Sequence, residues 1–559
     1  MTVVDFEEKR LDKLPPREMS GRLMRLAPRE RLQVILDRTD AEAVVAALAV
    51  QDFYISVQET GPDDSLPLLA LATVAQLKHL FDIEWWQKDT VRPAAAIGWL
   101  ERLSRASEEK LAAWLFDADF ELLVALFKKW LIVAVLPEDT DLIEARDSLP
   151  QGTLDDQYFW EPRYPQYEDL MRHVLSFLFE VNYGFYKELL NHVLWSLDAE
   201  VEEDAYRFHK GRLEDRAIPD FYEAIEIYRE IRVEKILPMK EVVLAHPSGE
   251  SAPSFAVACI PEGDLLSGVL KEIPDAAAMD TIQLELASLS NKVVVADGIA
   301  SDNPQALRRA VEKTVAYVNL GLELRSEGDP KVALGIVREV FLEHLFRLAQ
   351  GRVAQIKGRL KAVQQRGWLS FWPTGIKLLD FEWLERGELL LGKTPRILRP
   401  ASGAHRNSRE DFFRSRRDLG EGNRIVEAIE HAGVLFESVR VNPESLAKKL
   451  WDRGQIPDLE SVTLGALVWT AAAQRLLTGR WEVAPLAVTS WPSAFPVLAG
   501  DAIKETILTH LAEIAPEDEK SAQVKTYLDP LFESYEEEMS SFSAPPDPAI
   551  VRFFLFSGE

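Results

Sequence analysis

Residues 23–40, LMRLAPRERLQVILDRTD, and residues 100–119, LERLSRASEEKLAAWLFDAD, carry one pattern twice. Leu23, Leu26, Leu32, Leu36 and Asp40 match Leu100, Leu103, Leu111, Leu115 and Asp119, with two extra residues before the third position. Spacings of three or four put most of these leucines on one side of an α-helix, and a short helix with one apolar side must bury it against a neighbour. Val74, Leu77, Leu80 and Asp82 form a shorter unit of the same kind between them. The stretch from Leu23 to Leu136 is therefore expected to be stacked helical hairpins, in the range of roughly 20 to 50 residues per unit that helical solenoids use.

The local signals agree. Asp40 ahead of Ala41 to Leu48, and Ser107 with Glu109 and Lys110, mark helix starts, and Pro28 suits a first turn. The run Leu26-Ala27-Pro28-Arg29-Glu30-Arg31-Leu32, then Leu36-Asp37 and Asp40-Ala41-Glu42-Ala43-Val44-Val45-Ala46-Ala47-Leu48, resembles the superhelical cytosolic N domain of MgtE-type magnesium channels over residues 17–136. The resemblance implies a helical superhelix. The regulatory and pore modules of those channels have no counterpart here, so magnesium transport is not implied. The whole chain, with Ile218-Pro219-Asp220-Phe221-Tyr222-Glu223-Ala224-Ile225, resembles a bacterial protein family of unknown function, which implies no activity.

The 559 residues exceed one ordinary core and suggest roughly three or four domains, or fewer if a solenoid is included. A hydrophobic content of 47% is ample for burial, so the chain is expected to be globular. The net charge of -27 repels nucleic-acid phosphate and anionic membranes, so no DNA partner is expected. Cys259 is the only cysteine, which excludes an intrachain disulfide and suits a reducing, cytoplasmic setting. Met1 to Arg10 lacks the apolar core of a secretory signal. Leu122 to Leu136, interrupted by Lys128 and Lys129, is expected to be a buried amphipathic helix and not a membrane span.

The expected fold is mainly α with little or no β: a helical-repeat domain at 1–137, a helical bundle at 151–240, and a long-helix domain at 262–366, continuous with that bundle or separate. A C-terminal helical domain follows at 367–540, with a basic loop at 393–422 and a Pro-rich tail with an apolar end at 541–559. Pro137 to Pro150 is a boundary, Asp198 to Asp204 an acidic hinge, and Ala245 to Pro261 a linker. Val293 to Ala296 suits a strand or a helix end, and Lys331 to about Gln365 is the longest helical pattern. Trp368, Phe371, Trp372, Leu378, Phe381 and Trp383 gather around Pro373-Thr374-Gly375 as a core cluster. The apolar end, Ile550 to Phe556, is expected to dock on the body or to serve as a peptide for a partner.

Three groups bear on chemistry. Gly387 to Thr394 matches the phosphate-loop pattern through Gly387, Gly392, Lys393 and Thr394, but bulky leucines fill the loop and Pro395 follows, so it is a chance match. His173 and Glu180 lie seven apart and Glu188 and His192 four apart, so two adjacent helices bring all four within reach of one metal. Local ion pairing is the plainer use of such residues. Arg406, Arg409, Arg414, Arg416 and Arg417, with Arg396, Arg399 and His405, form the densest basic stretch, suited to an anion or an acidic partner. Glu410 and Asp411 dilute it, and internal pairing with the acidic surface is the plainer reading. No cofactor and no membrane span are expected. A non-catalytic scaffold or regulatory partner-binding role is the leading expectation, with an unidentified protein partner and no oligomeric state fixed. An enzyme, or a small-ligand or metal-binding protein with its site inside the central bundle, is the alternative.

Overall fold

The structure is a computed structural model that describes residues 14–136, 148–232, 234, 251–399, 408–450, 459–516 and 519–558. It is mainly α, with four small sheets of two or three strands among the described residues. The chain divides into two compact units, Met1–Arg347 and Leu348–Glu559. Among the described residues no helix is long and apolar enough to cross a membrane.

In the first unit the helices in and around the two matched segments are Pro16–Leu23, Pro28–Leu36 and Ala41–Ala47, and Pro93–Ala106, Glu108–Asp117 and Phe120–Trp130. Leu100, Leu103, Leu111 and Leu115 are all buried, whereas Leu36 of the first segment stays 42% exposed. Ser107 caps as expected, its hydroxyl accepting the Lys110 N–H. Asp40 stands at its N-cap position, but its carboxylate takes the Arg38 guanidinium instead.

The expected helix over Leu122 to Leu136 ends at Trp130, and Leu131–Val135 is a strand. Its β-branched Ile132, Val133 and Val135 favour the extended chain. That strand pairs antiparallel with Tyr158–Pro162, which also pairs with Gly152–Thr153, so one sheet joins both sides of the expected boundary. Residues 137–147 of that boundary lie outside the described residues. One apolar core takes in buried residues from Met19 to Ala205, together with Leu307.

Three other segments differ from expectation. Asp198 to Asp204 is not a hinge but the start of the Asp198–Asp215 helix, where Asp198 and Glu200 favour the positive helix end. The expected linker, described from residue 251, holds the Phe255–Ala258 helix, with Ser254 and Phe255 buried. The helical pattern from Lys331 breaks at Val340, which is extended, giving Pro330–Glu339 and Leu342–Arg366. The buried Glu285 carboxylate accepts the Leu342 N–H at 3.2 Å, satisfying one donor at that restart. Val293 to Ala296 lies within the Ala276–Asp297 helix.

In the second unit Thr463 caps Leu464–Thr478, and Gly479 ends that helix in the left-handed region at φ 79°. The basic stretch is not all loop: Arg396–Arg399 pairs antiparallel with Arg409–Phe412, and Arg416–His431 is a helix. Trp368, Trp372 and Trp383 are buried as expected of a core cluster, while Phe371 and Phe381 are exposed. The apolar end docks within its own unit: Val551 and Phe553 to Phe556 are buried, and Phe556–Ser557 pairs parallel with Leu486–Ala487.

Candidate functional site

A cavity of about 690 Å³ opens inside the first unit. That volume falls within the roughly 300–1,000 Å³ of small-molecule sites. The Val50–Thr60 helix supplies Gln51 and Tyr54, the Val74–Glu84 helix His79 and Asp82, and the Ala276–Asp297 helix Asn291. Trp86 enters from the Trp86–Gln87/Thr90–Val91 hairpin and His209 from the Asp198–Asp215 helix.

The Val74–Glu84 helix is fixed at its start by a reciprocal cap. The Thr73 hydroxyl accepts the Gln76 N–H, and the Gln76 side chain accepts the Thr73 N–H. Gln76 Nε2 then donates to the carbonyls of Val45 and Leu48, at 2.7 and 3.0 Å, tying the preceding turn to the helix that carries His79.

Behind one wall, Arg212 donates Nε and Nη2 to the two oxygens of Asp82, at 2.8 and 2.7 Å. Its Nη1 donates to Asp119. Burial pushes the Asp82 carboxyl up, but the Arg212 fork and His209 Nδ1 at 3.4 Å outweigh it and hold the group below the usual carboxylate range. The Trp86 ring stacks on His209, with centroids 4.4 Å apart and planes 10° from parallel. Tyr54 meets His79 edge-on at 6.0 Å and donates its hydroxyl to Glu84, whose carboxyl is raised by burial.

Four cavity-lining side chains hold buried polar atoms without a protein partner: Gln51 Oε1, His79 Nδ1, Trp86 Nε1 and Asn291 Nδ2. Gln51 is 8% and His79 2% exposed. The orientation of the Gln51 amide is set by its Nε2, which donates to the Arg216 carbonyl at 3.1 Å. Burial, followed by the Arg216 charge, brings the His79 ring down to about 3, so it is neutral near pH 7. An unsatisfied buried polar group costs about 1–3 kcal/mol. The rim carries the exposed Lys88, Arg92 and Asp302. Lys88 has a φ of 59°, an uncommon left-handed position for a side-chain-bearing residue. What the arrangement offers chemically is hydrogen bonds and flat apolar walls.

The residues singled out by sequence lie elsewhere. His173, Glu180, Glu188 and His192 are all exposed, on the adjacent helices Glu168–Val181 and Tyr183–Trp195. His173 faces Glu108 at 3.8 Å, and His192 faces Ser196 at 3.2 Å. Among the described residues no group of three or more His, Cys, Asp or Glu is placed to hold a metal ion. The Gly387 to Thr394 match sits on the last turns of the Phe381–Leu391 helix, with Gly392 as its C-cap. A helix end presents carbonyls, and Lys357 donates to those of Gly392 and Lys393 at 2.7 and 3.3 Å, the opposite of a phosphate cradle. Arg406 lies outside the described residues. Arg409 stands opposite Arg399 in the hairpin, Arg414 lies 3.8 Å from Asp411, and Arg416 and Arg417 are exposed on the first turn of their helix.

The sequence reading missed Gln51, His79, Trp86 and Asn291. The one signal was polar residues interrupting otherwise apolar helix faces, as His79 does between Leu77 and Leu80. The model of a family described as a family of unknown function (DUF6178) matches residues 8–557. No match was found among curated proteins or among solved structures.

Proposed function

The chain belongs to that family of unknown function, DUF6178, and from this premise we propose that it is a ligand-binding protein whose first unit receives a small organic molecule. The observation that carries the proposal is the cavity of about 690 Å³ itself, lined by the aromatic side chains of Tyr54 and Trp86, the aliphatic Ile83, Val294 and Leu307, and the polar residues Gln51, His79 and Asn291. A space of this size left among helices forgoes packing contacts that apolar side chains would otherwise fill. The test is a thermal-shift screen of the full chain against a metabolite library. A specific hit raises the melting temperature of the natural protein, and Asn291→Leu reduces the shift while leaving the unliganded protein at least as stable. A library without a single saturable hit defeats the proposal.

The partner-binding role expected from sequence is a second reading, favoured by Trp195 at 70% and Leu197 at 64% exposure, on either side of the turn at Ser196. Large apolar side chains left in water on one turn favour a protein partner. Sedimentation velocity of the full chain and of Trp195→Asp tests the case of self-association: a mass that falls in the variant supports it, and a monomer in both defeats it. A cytoplasmic place, argued from the lone Cys259, belongs to the same proposal and is tested by cell fractionation. The expected resemblance to the MgtE N domain is not among the matches found and adds no function to it.

A further inference from the structure

The three-stranded sheet of the first unit has Leu131–Val135 at one edge, with Tyr158–Pro162 in the middle and Gly152–Thr153 beyond it. Edge strands that stay single usually carry a charge, a proline or a bulge. Leu131-Ile132-Val133-Ala134-Val135 has none of these: it is uncharged, Ile132, Val133 and Val135 are β-branched, and its register with Tyr158–Pro162 runs unbroken. Ile132 is 39% and Val135 36% exposed.

The bonds at the two ends of the ladder decide which backbone groups face outward. The Arg163 N–H donates to the Trp130 carbonyl at 2.6 Å, and the Leu136 N–H to the Gln157 carbonyl at 3.3 Å. Hydrogen-bonded pairs alternate along an antiparallel ladder, so Ile132 and Ala134 turn their N–H and C=O groups inward, to Glu161 and Phe159. Leu131, Val133 and Val135 turn theirs outward. Leu131 is already committed, its N–H to the Phe127 carbonyl and its own carbonyl to Arg163 Nε at 3.2 Å. The outward groups of Val133 and Val135 meet no hydrogen-bonding partner among the described residues.

Another strand is what matches such groups, and a second copy of this chain supplies one about a two-fold axis. The free groups place that axis. Through Ala134, it sets Val133 opposite Val135 of the second copy and Val135 opposite Val133 of the second copy, so every free group pairs. Through Val133, it would set Val135 opposite the committed Leu131. With the axis at Ala134 the two alanines form a non-hydrogen-bonded pair, Cα atoms about 4.5 Å apart, where small side chains fit. We propose that the chain dimerises by pairing the Leu131–Val135 edges of two copies antiparallel about Ala134, which joins their two sheets into one. The inference goes beyond the ligand-binding reading and holds or fails without it.

Sedimentation velocity of the full chain over a range of concentrations, together with disulfide trapping, tests this. The seam is small, so the dimer is expected to be reversible and to grow with concentration. Val133→Pro removes an outward N–H and no bond to Tyr158–Pro162, and is expected to weaken association at least tenfold. Trapping decides the matter even where that variant fails to fold. In a Cys259→Ser background, which removes the only native cysteine, Ala134→Cys brings two thiols to the axis, at a separation within the roughly 4.4–6.8 Å between Cα atoms that a disulfide spans. It is expected to cross-link most chains under mild oxidation, and Ile132→Cys, displaced from the axis, at least tenfold fewer. A natural chain that sediments as a monomer at every concentration overturns the proposal. So does cross-linking at Ile132→Cys in place of Ala134→Cys, or a dimer that is lost in Trp195→Asp and kept in Val133→Pro.

Discussion

Ser254 gives its backbone N–H and its hydroxyl to the carboxylate of Asp52, at 2.9 and 2.7 Å, across 202 residues of sequence. The Phe255 N–H joins them at 2.8 Å. Asp52 thereby anchors the start of the Phe255–Ala258 helix and holds Phe255 in the cavity wall. Burial pushes its carboxyl up to about 6 despite those bonds, so near pH 7 it is a buried anion that depends on them.

Removing the anchor leaves two backbone donors without an acceptor. Asp52→Ala should cost about 3 kcal/mol or more, whereas Ser254→Ala, which keeps both N–H donors bonded, should cost about 1 kcal/mol. Denaturant titration of both variants reads the difference. Equal losses contradict the anchoring role.

The Asp82 and Arg212 pair makes a prediction about sign. In the natural protein the Asp82 carboxyl is held low, so its contribution to stability is present at neutral pH and lost as pH falls through its depressed range. Arg212→Leu strands a buried carboxylate and should cost about 3–5 kcal/mol at neutral pH. Without the fork, burial raises that carboxyl, and the variant loses stability as pH rises. The gap between natural and variant unfolding free energies should therefore widen from pH 5 to pH 8, and a constant gap would count against the pairing.

Asp380 in the second unit behaves in the reverse sense. It accepts the Gly465 N–H and the Tyr527 hydroxyl, yet burial carries it up to about 6. A folded carboxyl above its usual range favours the protonated form, so its contribution is fullest below about pH 4 and fades as pH rises through 6. Asp380→Asn removes that titration. Relative to the variant, the natural protein should lose about 2 kcal/mol between pH 4 and pH 7, read from unfolding curves at both. A difference independent of pH would show that Asp380 does not titrate in this range.

Much of the helical framework was legible because apolar spacing and caps are local. Ser107 and the buried Leu100, Leu103, Leu111 and Leu115 follow from windows of a few residues. The strand at Leu131–Val135 was not, because an apolar run of that length fits a helix equally well until Tyr158–Pro162 is there to pair with it. The cavity was less legible still. Asp82 and Asp119 stand out in sequence as helix-end aspartates, but what makes them matter is Arg212, 130 and 93 residues further on. Whether Gln51 Oε1 or Asn291 Nδ2 finds a partner depends on helices that meet only in the folded chain.

Gly321, on the Pro304–Ser326 helix, reports on a different meeting, with the Leu342–Arg366 helix. A Cβ there would lie 2.0 Å from the Leu345 carbonyl oxygen, a backbone atom that cannot swing aside. Gly321→Ala should cost about 1–3 kcal/mol or more. Gly335→Ala, in open space within Pro330–Glu339, should stabilise by about 0.5–1 kcal/mol. Thermal melts compare the two directly, and a neutral Gly321→Ala would mean the helices do not approach this closely.

The central claim, that the cavity is built for a ligand, is tested most directly by native mass spectrometry of the full chain purified from its own cells. Spectra under non-denaturing and denaturing conditions should differ by the mass of one small molecule, and Asn291→Leu should lower the occupied fraction. Identical masses in both conditions, with no compound restoring a difference when added, would contradict it.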